Sequence, residues 1–234
     1  MKPQWCWRLF ENEWSRALPP QIRAGIEQAV TVRTIAQSEE IIRQGDSFSG
    51  LYCLLDGQMH VIGTSAAGDE LLIGIHRPGD WIGFLAALDE GPYAFSVRAF
   101  RPSRVAVLGA AALAELFKRD LPSFRLLLQP EINVARKNYQ YFIEHAHRPP
   151  MQRLAERMMA LGRWPYTAEE MTPAPLDQLP QAALASATRL SRQTINSCLN
   201  ALQQAGVVTL AYRTVSVIDP RRLGRIARGE ENLS

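Results

Sequence analysis

The chain predicts an α+β fold in three parts: an N-terminal β-roll of the jelly-roll-like barrel type, a long connecting helix, and a C-terminal winged helix-turn-helix domain. Three observations predict it. Glycines 45, 57, 68 and 79 fall 12, 11 and 11 residues apart between short apolar runs, the turn spacing of an all-β sandwich or barrel. From Phe124 onward apolar residues recur every three or four positions over about twenty residues, which is a helical seam. After Pro180, two short helical patterns separated by Thr188-Arg189-Leu190 run into two alternating strands.

A chain of 234 residues with 47% hydrophobic content can bury a sizeable core, in one large domain or two of ordinary size. The expected divisions are 1–120, 121–148 and 149–234. No run approaches the roughly 18 apolar residues of a membrane-spanning helix, and no secretory leader pattern opens the chain, so a cytoplasmic protein with no membrane partner is expected. Cys6, Cys53 and Cys198 are odd in number and far apart, which argues against a disulfide framework and against a four-thiolate cluster. Net charge is only +3, but its distribution is one-sided. From Pro180 to Gly229 stand Arg189, Arg192, Arg213, Arg221, Arg222, Arg225 and Arg228, against Asp219 as the only acid. Such a segment reads as an electrostatic footprint for phosphate.

Leu18-Pro19-Pro20 followed by Ile22, Ile26, Ala29 and Val30 predicts a proline-opened amphipathic helix within residues 14–31. From Ile35 to Leu108 the period changes. Strands are expected at 40–42, 51–55, 59–62, 70–75, 95–99 and 104–108, separated by Gly45-Asp46, Asp56-Gly57, Gly68-Asp69 and Pro78-Gly79-Asp80. A roll of this size encloses either a small ligand or its own side chains.

Three strings in this region, Arg43 to Asp46, Leu51 to Val61 and Arg77 to Gly83, resemble the cyclic-nucleotide-binding β-roll over about 75 residues. The resemblance implies an effector pocket at Gly83, Phe84, Leu85, Tyr93 and Ala94, with Tyr139 of the connecting helix. Cyclic-nucleotide sensors place a glutamate after the cassette glycine for the ribose, and an arginine followed by serine, threonine or alanine for the cyclic phosphate. Phe84 and Tyr93 stand at the glutamate and arginine positions, and Ala94 follows. Phenylalanine accepts no hydrogen bond and tyrosine brings no positive charge to a buried phosphate. The pocket is therefore expected to be filled by aromatic groups or to take an apolar or aromatic effector, not cyclic AMP.

In the connecting helix Leu128, Ile132, Ala135, Tyr139 and Phe142 form one apolar seam, the pattern of a helix packed on a partner helix. Pro130 is expected to kink it. Pro149-Pro150 ends the segment as a hinge. His145 and His147, two residues apart, do not share a helical face, so no metal site is expected there.

Beyond the hinge, residues 151–161 predict another amphipathic helix, and Pro180 to Ala187 a short one. Ser191 is a suitable N-cap for a second helix from Arg192 to Ala205 that stops at Gly206. Ile195, Leu199 and Leu202 form its inward stripe, leaving Arg192, Gln193, Asn196 and Ser197 outward on the first two turns. Arginine suits guanine N7 and O6, and glutamine or asparagine suits adenine N7 and N6, so this is a major-groove reading set. Residues 207–210 and 214–218 make the wing hairpin, with Arg213 at its tip for a phosphate. Arg189 in the turn and Ser191 itself complete the candidate DNA-binding residues.

Ser191-Arg192-Gln193-Thr194-Ile195-Asn196, with Leu199, Leu202 and Gly206-Val207-Val208, resembles the helix-turn-helix signature of CRP/FNR transcription regulators. In that family a glutamate commonly follows the arginine and an arginine often stands where Ser197 is; Gln193 and Ser197 depart from this. The resemblance implies a homodimer on a palindromic operator and assigns the seam as the dimer helix. Double-stranded DNA, a second copy of the chain, RNA polymerase and a small-molecule effector are the partners expected; the cofactor is unknown. No phosphate loop or nucleophile elbow is present, so no enzyme activity is expected. Two alternatives stay open: an effector-binding module acting on protein partners without DNA, and a haem or gas sensor using His60, His76 or Cys53.

Overall fold

The computed structural model describes residues 5–118, 120–145, 148–162, 176–180, 184–185, 188, 190–212 and 214–233, excepting the side chains of 121, 137–145 and 176–180. They form two compact units, Met1–Gln140 and Tyr141–Ser234.

The first unit opens with a short 3-10 helix (Cys6–Phe10), α1 (Glu13–Arg16) and α2 (Pro20–Ala29). The strands follow: β1 (Thr31–Ile35), β2 (Glu40–Ile42), β3 (Gly50–Thr64), β4 (Glu70–His76), β5 (Trp81–Ile82) and β6 (Ser96–Gly109). Helix α3 (Phe84–Asp89) lies between β5 and β6, and α4 (Ala110–Phe117), α5 (Leu121–Leu126) and α6 (Leu128–His145) follow. All pairings are antiparallel: β6 joins β1, β2 and β3, and β3 also holds β4 and β5.

The sequence reading is corrected at four places in this unit. Thr31 opens β1 instead of closing a helix, because the β-branched run Thr31-Val32 favours strand once α2 has ended at Ala29. Asp56-Gly57 does not separate two strands. β3 runs straight through it, with register shifts on β6 between Leu54 and Met59 and Gly57 at φ 100°, so the glycine makes a bulge where a Cβ would overlap the Ser103 side chain. The runs at 95–99 and 104–108 likewise fuse into β6. Finally, Pro130 does not kink a long helix. The chain breaks earlier, at Leu127, and Pro130 is the third residue of α6, where its missing N–H has no intrahelical acceptor to lose.

Because side chains alternate along a strand, β3 feeds two separate cores. Leu51, Cys53 and Leu55 join Leu9, Trp14, Trp81 and Leu108 under the N-terminal helices. Tyr52, Leu54, Met59 and Val61 point into the roll, against Ile35, Ile82, Val97 and Val105.

The second unit contains α7 (Pro150–Gly162), β7 (Leu176–Pro180), α8 (Arg192–Gln204), β8 (Val208–Ala211), β9 (Thr214–Val217) and α9 (Pro220–Arg228). Leu184, Ala185 and Thr188 are helical, while the rest of the helix expected between 181 and 187 lies outside the described residues. Pro180 belongs to β7, not to a helix start. It pairs with Thr214 on an edge strand of the order β7-β9-β8, where the lost donor is tolerated. Among the described residues no helix is long and apolar enough to cross a membrane.

Candidate nucleic-acid interface and the roll interior

The geometry of α8 follows from its ends and its periodicity. Ser191 has extended backbone, and its Oγ accepts the Thr194 N–H at 3.1 Å, satisfying one of the free donors at the helix start. At the other end Gly206 is left-handed at φ 71°, its N–H bonds to Gln203 O and the Val207 N–H to Leu202 O, each at 2.9 Å. These are the two bonds of a Schellman stop. Ile195, Cys198, Leu199 and Leu202 are buried, which fixes the rotation of the helix and leaves Arg192, Gln193, Asn196 and Ser197 exposed on its first two turns. Thr188, expected in the turn, is helical instead; its hydroxyl donates to Leu184 O at 2.8 Å and its carbonyl accepts from Arg153 at 2.8 Å. Arg189 and Arg213 lie outside the described residues. The wing turns between Ala211 and Thr214, with Tyr212 exposed beside it.

The basic footprint read from the sequence shrinks on inspection. Arg222 and Arg225 pair with Glu231 at 2.7 and 3.3 Å, and Arg228 pairs with Glu230 at 2.6 Å. The two acids stand just past the window that looked one-sided, and Gly229, left-handed at φ 78°, folds the chain back so that they reach the arginines. Arg192 and Arg221 remain exposed.

The roll holds only part of the expected pocket. Gly83, at φ 104°, lies so close to the 50–51 and 93 positions that a Cβ there would meet Gly50 O at 3.1 Å and the Tyr93 ring at 3.3 Å. Tyr93 is 5% exposed and joins the interior cluster. Its phenol oxygen accepts from the backbone N–H groups of Ser49 and Gly50, each at 3.1 Å, and donates to Gly50 O at 2.8 Å. Ser49 Oγ lies 3.1 Å from the same oxygen and 2.9 Å from the Tyr52 hydroxyl, whose pKa burial pushes up. Phe84 and Leu85 are corrections. Phe84 packs edge-on against Trp14, 5.0 Å away, in the core beneath the N-terminal helices, and Leu85 is exposed. The reason is helical: α3 starts at Phe84, so Ala86, not Phe84, turns into the roll. Ala94 is half-buried, and the Tyr139 side chain lies outside the described residues. Tyr52 and Ser49 were missed, although alternation with Leu54 marks Tyr52 as inward.

Arg98 and Arg101, the nearby cations, are held elsewhere. Arg98 pairs with Glu40 and Glu70 at 3.1 and 2.8 Å, and Arg101 donates to Gln58 at 2.8 Å. His60 stacks on Phe100 at 4.5 Å, and burial, with Arg98 nearby, lowers its pKa to about 4. Cys53 is fully buried and burial pushes its thiol well up, while His76 lies 3.6 Å from Asp80. Among the described residues no three metal-capable side chains gather.

On the seam, Leu128 is half-buried and Ile132 and Ala135 are exposed, with the Tyr139 and Phe142 side chains outside the described residues.

Residues 32–120 match the cyclic nucleotide-binding domain family and residues 152–226 the Crp-like helix-turn-helix domain family. The cyclic AMP receptor protein of Thermus thermophilus is 28% identical over 84% of this chain and 88% of its own length. The transcriptional activator protein Anr of Pseudomonas aeruginosa is 23% identical over 85% of this chain and 81% of its own. A solved CRP/FNR-family regulator of Thermus thermophilus shares the fold with a TM-score of 0.65 at 19% identity, covering 85% of this chain and 98% of that one. With a cyclic-nucleotide-type roll ahead of a capped helix and its hairpin, the chain belongs to the CRP/FNR family of DNA-binding, non-enzymatic transcription regulators.

Proposed function

We propose that this regulator works in the cytoplasm as a homodimer that reads a palindromic operator through α8 and that its roll does not respond to cyclic AMP. The observation that carries the DNA half is the exposed set Arg192, Gln193, Asn196 and Ser197 on the first two turns of a helix whose ends and rotation are fixed. Arg192 supplies a bidentate donor pair for guanine, and Gln193 and Asn196 suit adenine. Arg213 on the wing serves a phosphate.

The effector half rests on Tyr93. A cyclic phosphate needs converging donors and a cation, and here the donors at Ser49 and Gly50 already serve a phenol. Displacing it would strand buried polar groups without bringing a positive charge to the anion. The relative named for cyclic AMP is thus a guide to architecture and not to ligand.

The test compares two variants on a selected operator and a scrambled duplex over several salt concentrations. Arg192→Ala is expected to lose on the order of 1–3 kcal/mol on the operator and much less on the scrambled duplex. Arg213→Ala is expected to weaken both about equally and to lower the salt slope by about one ion. Equal losses on both duplexes for Arg192→Ala would mean that α8 does not read bases.

A further inference from the structure

The Schellman turn at the end of α8 satisfies two late carbonyls, Leu202 and Gln203, and leaves the Ala205 carbonyl to be dealt with. The group that reaches it comes from α9. Arg222 donates through one guanidinium nitrogen to Ala205 O, and through Nε to Glu231 Oε1 at 2.7 Å. Its own backbone N–H is pinned to Asp219 Oδ1 at 2.9 Å, which fixes the base of the side chain at the first turn of α9. Glu231 is in turn braced by Arg225 at 3.3 Å. It reaches both arginines because the chain reverses at Gly229, where the Glu230 N–H bonds back to Arg225 O at 3.0 Å. The Arg222 and Glu231 side chains are only 32% and 24% exposed, so neither is a freely swinging surface charge.

From this geometry we infer that Arg222 and Glu231 form a positioning clasp for the DNA-reading helix: the segment after α9 takes part in recognition without touching DNA. A cation bonded to the Ala205 carbonyl opposes the negative end of the helix, and the carboxylate fixes the direction in which the guanidinium points. Arg222 is therefore a positioning residue, which the composition of the 180–229 stretch would instead count as a phosphate ligand. The two roles predict opposite signs for one substitution. Removing the Glu231 charge frees a phosphate-binding arginine and strengthens binding, whereas it loosens a clasp and weakens binding.

The inference rests on the DNA-reading role proposed for α8, so the experiment carries a second readout that does not. Full-length Glu231→Gln and Arg222→Met are titrated against the selected operator and a scrambled duplex over a salt series, and amide hydrogen exchange is followed at Ala205, Gly206 and Val207 without DNA. The clasp predicts a several-fold loss on the operator for both variants, little change on the scrambled duplex, an unchanged salt slope, and faster exchange at those amides. Tighter binding of Glu231→Gln to both duplexes with a steeper salt slope overturns it. So does unchanged exchange in both variants. If the unsubstituted protein shows no preference for its operator, the reading role of α8 fails, and the exchange result alone then decides for or against the clasp.

Discussion

Tyr93 is the side chain on which the interior of the roll turns. Its ring fills the inside of the roll beside Phe48, 5.9 Å away, and its hydroxyl takes up the backbone groups of the 49–50 segment. Tyr93→Phe keeps the ring and removes the oxygen, stranding the buried N–H and carbonyl of Gly50 and freeing the Ser49 N–H. The expected cost is about 1–3 kcal/mol of stability, read as a lower denaturant midpoint with an unchanged slope. The same residue bears on the ligand: titration calorimetry is expected to find no binding of cyclic AMP at micromolar concentrations, and micromolar or tighter affinity would overturn the filled-roll reading. His60 brings no counter-charge: burial, with Arg98 nearby, lowers its pKa to about 4, so it is neutral at neutral pH.

At the scale of elements, what was legible in the sequence depended on whether the deciding interaction was local. Gly45, Gly68 and Gly79 mark real turns, and the span and both ends of α8 could be read from Ser191 and Gly206, because caps and turns are set by neighbours a few residues apart. Gly57 was misread because a bulge and a turn use the same left-handed glycine, and only the partner strand distinguishes them. β7 escaped because its partner β9 lies more than thirty positions further on. The pairing of Arg222 and Arg225 with Glu231 was hidden for another reason: it depends on the reversal at Gly229, just past which the acid stands. On the seam of α6 the side chain of Ile132 is 37% exposed. A partner copy packed on that seam would bury Ile132. Ile132→Glu would then place an unpaired charge in an apolar interface, and sedimentation is expected to show monomers with unaltered secondary structure. An intact dimer would assign the helix a different partner.

A dimer related by a two-fold axis presents two copies of α8, and each reads a half-site in the major groove only if the half-sites face the same side of the duplex, about 34 Å or one helical turn apart. The short reading set, Arg192, Gln193, Asn196 and Ser197, reinforces that requirement. Pairing of Arg222, Arg225 and Arg228 to Glu230 and Glu231 compensates three of the arginines in the 180–229 stretch and so weakens phosphate attraction at a single half-site. Affinity for the operator is therefore expected to come from engaging both half-sites together. Inserting about five base pairs between them turns one half-site to the opposite face and is expected to reduce binding to the level of a single half-site, while inserting about ten is expected to recover part of it. Gel-shift titration of the three spacings at one salt concentration checks this. Equal affinity for all three would show that each subunit binds alone, and would remove the need for a dimer in recognition.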